Sequence, residues 1–226
     1  DAALARRGDE LTDVKIRGNL CFGPIRTVEC DPTREHFFYN SWHCSAYERK
    51  LSDRGLCSYI PMIFRSVVPY YRHFLTVNVA MMCVTPMDRH GYFSFSINTG
   101  TAADILRKAK VVILEINEHL PNVRGGYDDC VHISDVDFVI EGEHEPFKAK
   151  PRKPISAVER QIAENIISYI RDRSTIQIGV GSMPDAVGRL IAESDLKDLG
   201  MHTELCGDAY LARFKAGKIP NKYKNQ

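Results

Sequence analysis

The sequence lacks a strong excess of charge of either sign. Its 226 residues carry 30 Lys and Arg against 29 Asp and Glu, which leaves a formal net charge of +1. A nearly neutral chain has no long-range field that would gather a polyanion. The sequence therefore gives no reason to expect nucleic acid or an anionic membrane surface as a partner.

Long hydrophobic runs and paired cysteines are also missing. The apolar runs fall far short of the roughly 20 residues that cross a bilayer, so we expect no membrane partner. The seven cysteines stand singly and form no C-x-x-C pair. This spacing predicts no metal site, and single thiols of this kind are typical of the reducing cytoplasm, where we expect the protein.

The chain does contain two runs that are apolar on both strand faces. They are Val77–Val84 (VNVAMMCV) and 111–117 (VVILEIN), with a predicted helix at 102–109 between them. Strands of this kind are typical of a parallel sheet covered by helices. Ser156 and Glu159 have the spacing of a capping box and predict the start of another helix. The predicted fold class is α/β, with a mostly parallel sheet and helices on both faces.

The stretch 175–204 carries the most specific pattern. Alternating apolar residues from Ile176 to Val180 predict a strand, and Gly179 and Gly181 predict a sharp turn after it. A helix follows, for which Ser182 is the predicted N-cap and Gly200 the predicted end. The next predicted strand, 201–206, would bring Glu204 near the glycine turn, because ligands gather at the carboxyl ends of parallel strands.

Backbone N–H groups at such a turn, followed by a helix N-terminus, favour an anion or an oxyanion. One interpretation is a dinucleotide fingerprint with Glu204 on a ribose, but Pro184 stands where the third glycine is needed. A nucleophilic Ser182 is a weaker interpretation, since its neighbours do not form G-x-S-x-G. The remaining interpretation makes Glu204 a covalent nucleophile and the turn its oxyanion hole.

Four further residues are candidates for a substrate pocket. Gln177 alternates with the apolar residues of the predicted strand, and Asn117 ends the buried run 111–117. His90 lies in a turn-rich segment after the strand Val77–Val84, and Trp42 lies in an aromatic segment suited to an acyl chain. Each also has an ordinary alternative, as a core, turn or solvent-facing residue.

Two motifs give a specific family resemblance. Ile178–Val187 (IGVGSMPDAV) and Asp198–Glu204 (DLGMHTE) resemble the paired motifs of family I CoA-transferases of the acetyl-CoA hydrolase/transferase group, and within it the butyryl-CoA:acetate CoA-transferases. Further matching segments lie throughout the chain: 40–43 (NSWH), 85–93 (TPMDRHGYF), 115–121 (EINEHLP) and 132–142 (HISDVDFVIEG).

The resemblance implies a ping-pong transfer of CoA between an acyl-CoA and a short-chain carboxylate. It places the glutamate that becomes a glutamyl-CoA thioester at Glu204. It places the oxyanion and CoA-binding loop at five consecutive residues: Gly179, Val180, Gly181, Ser182 and Met183. Coenzyme A would be both substrate and covalent intermediate, and no other cofactor is implied.

The resemblance also implies a larger protein, because family members are about twice this long. We expect residues 1–226 to be the family's amino-terminal domain without its first residues and without the carboxyl-terminal domain, inactive alone and homo-oligomeric at full length. Two alternatives remain open: an acetyl-CoA hydrolase, and a noncatalytic fragment or assembly module. The sequence departs from the family at Ser182, where relatives often have Gly or Ala, and at 206–208 (CGD), where more apolar residues are usual.

Overall fold

The computed structural model describes residues 1–123, 126–146 and 154–224. The chain forms two compact units, Asp1–Phe147 and Lys148–Gln226. Most of the Pro- and Lys-rich connector that the sequence suggests around 146–154 lies outside the described residues. The expectation that 1–226 is one amino-terminal domain stays a prediction.

The first sheet of the amino-terminal unit is entirely parallel. Its strands, in spatial order, are β1 (Val14–Gly18), β2 (Phe37–Ser41) and β3 (Cys57–Tyr59). Three helices belong to this part of the chain: α1 (Ala2–Ala5), α2 (Arg26–Glu29) and α3 (Ala46–Asp53). The core between strands and helices contains Val28, Tyr39 and Leu51. Inside it the buried carboxylate of Glu48 accepts hydrogen bonds from the Tyr39 hydroxyl (2.7 Å) and the Ser45 N–H (2.8 Å).

The second sheet of this unit is parallel as well, in the order β4, β6, β8. Two helices, three sheet strands and one antiparallel pair make up this region: α4 (Phe64–Phe74), β4 (Val77–Val84), β5 (Tyr92–Ser94), α5 (Ala102–Lys108), β6 (Ala109–Ile116), β7 (Cys130–His132) and β8 (Phe138–Glu141). Strand β4 has the bounds predicted from its apolar run, and β6 contains most of 111–117. Leu106 of α5 packs against Val84 and Leu114 in one core.

Between residues 154 and 224, the carboxyl-terminal unit contains three helices and a short parallel strand pair. Its elements are α6 (Ala157–Ile167), β9 (Thr175–Ile176), α7 (Ser182–Glu193), β10 (Gly200–Met201) and α8 (Asp208–Lys215). Their shared core includes Ala163, Ile191 and Tyr210. The capping box of α6 is confirmed: the Ser156 hydroxyl accepts from the Glu159 N–H, and the Glu159 carboxylate accepts from the Ser156 N–H (2.9 Å). The predicted α/β class with parallel sheets is therefore confirmed.

Four boundaries near the glycine turn differ from the prediction. The first strand ends at Ile176 rather than at Val180. Gly181, at φ 138°, is the N-cap of α7, so Ser182 is the first helical residue and does not cap the helix. Only glycine adopts that backbone conformation readily, and the helix therefore begins one residue earlier than expected.

The ends of α7 and of the second strand also differ. Helix α7 stops at Glu193 because Ser194 turns to an extended conformation and donates its hydroxyl to the carbonyl of Ile191 (2.8 Å). Gly200 does not end the helix but begins β10, which stops at Met201 rather than continuing to residue 206. An added Cβ at Gly200 would lie 2.6 Å from the Thr175 hydroxyl, so glycine is needed for this strand pairing.

Candidate functional site

Residues 179–183, which we call the glycine loop, run from the turn after β9 into the first two residues of α7. Gly179 has open space around it, since an added Cβ would meet no atom within 4 Å, and the Val180 side chain is 77% exposed. In the described part of the chain, the N–H groups of Gly179, Val180 and Gly181 donate to no protein acceptor. Because α7 begins within the loop, at Ser182, its positive dipole end adds to these free donors. The loop can therefore bind an anion or a developing oxyanion.

A cleft of about 190 Å³ opens beside the glycine loop. One wall is formed by the loop and the start of α7, and the other by the segment that leads into α8. The lining residues are Ile178, Gly179, Val180, Gly181, Asp185, Leu205, Gly207, Asp208, Ala209 and Tyr210. All of them belong to the carboxyl-terminal unit, so the cleft is formed within one compact unit.

Glu204 lies in the bend between β10 and α8, and it is exposed. Its two neighbours both contact the loop region: the Thr203 hydroxyl lies 3.4 Å from the Ile178 carbonyl oxygen, and Leu205 lines the cleft. Glu204 itself does not line the cleft in this structure. The structure thus brings the segment around Glu204 to the glycine loop, while the chemical role of Glu204 stays a prediction.

Helix N-termini meet carboxylates at two positions around the loop. Hydrogen bonds from Ser182 and then from Ser156 lower the pKa of Glu159 from 4.5 to about 2. This carboxylate therefore links the first turn of α6 to the first residue of α7. At the other position, Asp185 in the first turn of α7 pairs with Arg189 one turn later, at 2.5 Å. The positive charge of Arg189 therefore balances the negative charge of Asp185, the one carboxylate of α7 that lines the cleft.

The four candidate pocket residues are spread over both units. Gln177 is exposed and lies next to the cleft in sequence but does not line it. Asn117, His90 and Trp42 belong to the amino-terminal unit, away from the glycine loop in the chain. Their role in a substrate pocket stays a prediction.

In the amino-terminal unit these three residues have local contacts of an ordinary kind. Asn117 is buried and its side-chain oxygen accepts from the His119 N–H (2.9 Å). His90 is exposed, and its Nε2 accepts from Nε of Arg89 (3.0 Å). The Trp42 ring packs against Phe64 with a centroid distance of 5.8 Å.

Sequence reasoning missed Tyr210 and Asp185 as cleft residues. Tyr210 is 2% exposed and uses its hydroxyl to bond the strand before the glycine loop. The burial of Tyr210 and the partner of its hydroxyl are set by tertiary packing, so no pattern in the sequence identifies it. Within the described ranges, no group of three or more His, Cys, Asp or Glu side chains is placed to hold a metal ion. None of the described helices is long and apolar enough to span a membrane.

Comparison with known proteins places the chain in a family. The model of the acetyl-CoA hydrolase/transferase N-terminal domain matches residues 1–149. The chain belongs to the acetyl-CoA hydrolase/transferase family. The match ends near the boundary between the two units, so the glycine loop and Glu204 lie beyond it.

Two relatives match the whole chain. The butyryl-CoA:acetate CoA-transferase of Anaerostipes caccae is 43% identical over 228 residues, covering 100% of this chain and 51% of the relative. A protein named probable butyrate:acetyl-CoA coenzyme A-transferase from Syntrophomonas wolfei is also 43% identical, covering 100% of this chain and 50% of the relative. The chain therefore spans about half the length of these relatives.

Solved structures agree with the fold. RipA from Yersinia pestis superposes with a TM-score of 0.84 at 26% identity, covering 97% of this chain and 53% of that one. The 4-hydroxybutyrate CoA-transferase from Porphyromonas gingivalis superposes with a TM-score of 0.73 at 27% identity, covering 98% of this chain and 57% of that one.

Proposed function

We propose that the protein containing this chain transfers CoA between an acyl-CoA and a short-chain carboxylate, with butyryl-CoA and acetate as the substrate pair. The names of the two relatives that match the whole chain support this reaction and these substrates. The observation that carries the proposal is the cleft of about 190 Å³, where the glycine loop faces the segment that follows Glu204.

Glu204 acts as the nucleophile of a ping-pong exchange. Its carboxylate attacks the thioester carbonyl of the acyl-CoA, forming a mixed anhydride and releasing the CoA thiolate. The thiolate then attacks the glutamyl carbonyl, which gives a glutamyl-CoA thioester and frees the first carboxylate. The acceptor carboxylate attacks this thioester, which forms a second mixed anhydride and releases the CoA thiolate. The thiolate then attacks the acyl carbonyl of that anhydride. Acyl-CoA leaves and the Glu204 carboxylate is restored.

The glycine loop stabilises the charge that develops in these steps. Each attack turns a carbonyl into a tetrahedral oxyanion, and the free N–H groups of Gly179, Val180 and Gly181 are available to bind it. The first turn of α7, with Ser182 and Met183, adds the positive end of the helix dipole. One donor of this kind lowers the activation free energy by on the order of 3 kcal/mol.

Coenzyme A serves as substrate and covalent intermediate, and the reaction needs no metal or other cofactor. We further propose a cytoplasmic location, which the seven free cysteines support because thiols stay reduced there. Homo-oligomerisation of the full-length protein remains an expectation from the family resemblance.

A hydrolase is the second candidate function. The family description names hydrolases beside transferases, and Glu204 is exposed to water in this structure. A hydrolase would pass the acyl group to water, so CoA release would not depend on added acetate. Transfer predicts the opposite: acyl exchange that requires a carboxylate acceptor. The noncatalytic alternative predicts neither, and because the chain spans half of its relatives we expect little exchange from residues 1–226 alone.

The decisive experiment uses the Glu204→Gln variant of the full-length protein. The amide has nearly the shape of the carboxylate but is not a nucleophile, so exchange should fall by at least about 1,000-fold while the fold survives. In the wild type, acyl-CoA given without acceptor should leave CoA attached to the Glu204 peptide, as peptide mass spectrometry would show. Glu164→Gln is the matched control, since Glu164 is an exposed carboxylate of α6. An adduct on another residue, or near-normal exchange by Glu204→Gln, would refute the mechanism.

A further inference from the structure

Tyr210 lies on α8, outside every motif that points to the family. Its ring is 2% exposed, and it forms part of the wall of the cleft. It is the largest of the side chains that line the cleft. No part of the mechanism above uses it.

The hydroxyl of Tyr210 hydrogen-bonds to the backbone at the point where the short parallel strand pair ends. Strands β9 and β10 pair only through Thr175 with Gly200 and Ile176 with Met201. Two residues later, the Ile178 N–H donates to the Tyr210 oxygen at 2.6 Å instead of to a neighbouring strand. The same hydroxyl donates to the carbonyl of Ile176 at 3.3 Å.

These two bonds fix the backbone immediately before the glycine loop. A buried N–H needs a hydrogen-bond acceptor, so the backbone at Ile178 would shift if its N–H lost the Tyr210 oxygen. Ile178 is itself 8% exposed and packs in the same core as Tyr210. The direction of the chain as it enters Gly179 therefore depends on a side chain 32 positions further along the sequence.

Arg213 keeps the Tyr210 ring in place. It is fully buried, its Nε donates to the Ala209 carbonyl at 3.3 Å, and its guanidinium lies 4.2 Å from the centre of the Tyr210 ring. Within the described residues, its Nη1 and Nη2 have no hydrogen-bond partner. The face of the ring is thus the main compensation for a buried charge, which favours a single orientation of Tyr210.

We propose that Tyr210 is a positioning residue for the glycine loop: by holding the Ile178 N–H, it sets the direction of the loop N–H groups that bind the oxyanion. The proposal rests on the proposed CoA transfer. Tyr210 touches no reacting atom and acts through the backbone. Its removal should therefore lower kcat and leave KM for acyl-CoA nearly unchanged, because the oxyanion exists only in the transition state.

The test compares Tyr210→Phe with the wild-type full-length protein. Losing the hydroxyl should lower kcat by between about 10- and 100-fold, the range expected for displaced reacting groups and donors, and change KM for acyl-CoA by less than about threefold. Tyr223→Phe is the matched control, because Tyr223 also lies against an arginine, Arg173 at 4.6 Å, but is 44% exposed. It should leave both constants unchanged.

Amide hydrogen exchange gives a readout that does not depend on activity. In the wild type the Ile178 N–H should be protected, and in Tyr210→Phe it should exchange at least about tenfold faster while the amides inside α7 keep their rates. A wild-type Ile178 amide that exchanges as fast as the Val180 amide would overturn the proposal without any variant. An unchanged kcat in Tyr210→Phe, together with faster exchange of the Ile178 amide, would also overturn the proposal.

If Tyr210→Phe does not fold, 4-fluorophenylalanine at position 210 replaces it, since the fluorine fills most of the space of the hydroxyl but cannot donate and is a far weaker acceptor. Faster exchange at Ile178 together with a lower kcat would support the proposal, and no change in either would overturn it. A wild type that shows no CoA exchange at all would instead refute the proposed function. The two failures are therefore distinguishable.

Discussion

Gly188 is the position where the structure predicts the sharpest response to a single methyl group. It lies in the middle of α7, and a Cβ added there would lie 2.3 Å from the Cβ of Ala209 on α8 and 3.4 Å from the Ala209 Cα. Carbon atoms prefer about 3.5–4.0 Å, so α8 would have to move away by more than about 1 Å. The clashing atom is fixed to the backbone and cannot rotate aside.

Two effects of Gly188→Ala oppose each other. Replacing glycine by alanine inside a helix stabilises it by about 1 kcal/mol, whereas overpacking of a core contact costs about 1–3 kcal/mol. The clash is severe, so we expect the upper part of that range and a net loss of about 1–2 kcal/mol. For a chain of this size that loss lowers Tm by between about 2 and 8 °C. Thermal unfolding followed by circular dichroism measures it.

The compensating double variant provides the control. Gly188→Ala combined with Ala209→Gly removes the second methyl group and should recover most of the lost stability. The displaced α8 carries Tyr210, so CoA exchange should fall in the single variant and return in the double one. A Gly188→Ala protein that is as stable as the wild type, or more stable, would show that the two helices do not pack as closely as described.

Two further predictions concern the amino-terminal unit. Glu48→Gln replaces one oxygen of a fully buried carboxylate by an NH₂ group, which cannot accept from Tyr39 or from backbone N–H groups. It should therefore lower the free energy of unfolding by about 2–4 kcal/mol in urea titrations. A loss under about 0.5 kcal/mol would contradict this hydrogen-bond network. Gly91 has φ 85°, and Gly91→Ala would put a Cβ 2.8 Å from Nε2 of His132. The change should lower the free energy of unfolding by about 1–2 kcal/mol in the same assay. An unchanged urea midpoint would contradict this turn geometry.

Features set by neighbouring residues could be predicted from the sequence. Val77–Val84 forms a strand with its predicted bounds because all of its residues except Asn78 are apolar, as is typical of strands in a parallel sheet. The box of Ser156 and Glu159 formed as predicted, since both partners lie within one helical turn. The end of α7 was predicted wrongly, at Gly200, although the bond that accompanies its end is local: Ser194 bonds back to Ile191 only three residues away.

The strand before the glycine loop was predicted too long for a physical reason. Ile176, Ile178 and Val180 alternate as strand residues do, yet the ladder stops at Ile176. The N–H of Ile178 bonds Tyr210 instead, and no local pattern reveals a partner 32 residues away. The relation of Glu204 to the loop was predictable only as far as sheet geometry and family resemblance allow, because Glu204 lies in a bend set by tertiary contacts.

The glycine loop has side-chain anchors on both sides, and they should respond differently to pH. Tyr210 holds Ile178 before the loop, and the carboxylate of Glu159 accepts from Ser182 within it. The second anchor needs an ionised Glu159. Its pKa is lowered from 4.5 to about 2, so the stability it contributes is present above about pH 4.5 and is lost as the pH falls toward 2. Between pH 5 and 8 Glu159 stays ionised, so the anchor at Ser182 should be kept throughout that range.

Ser182→Ala removes the strongest cause of the lowered pKa and leaves the bonds from Ser156 in place. The pKa of Glu159, followed by NMR titration of its side-chain carboxyl carbon, should rise part of the way from about 2 toward 4.5, and the midpoint of acid unfolding should move to higher pH. Ser168→Ala is the matched control, because the Ser168 hydroxyl donates only to the Asn165 carbonyl at the far end of α6. An unchanged pKa of Glu159 in Ser182→Ala would mean that the two helix starts are not linked through this carboxylate. The loop would then be fixed from the Tyr210 side alone.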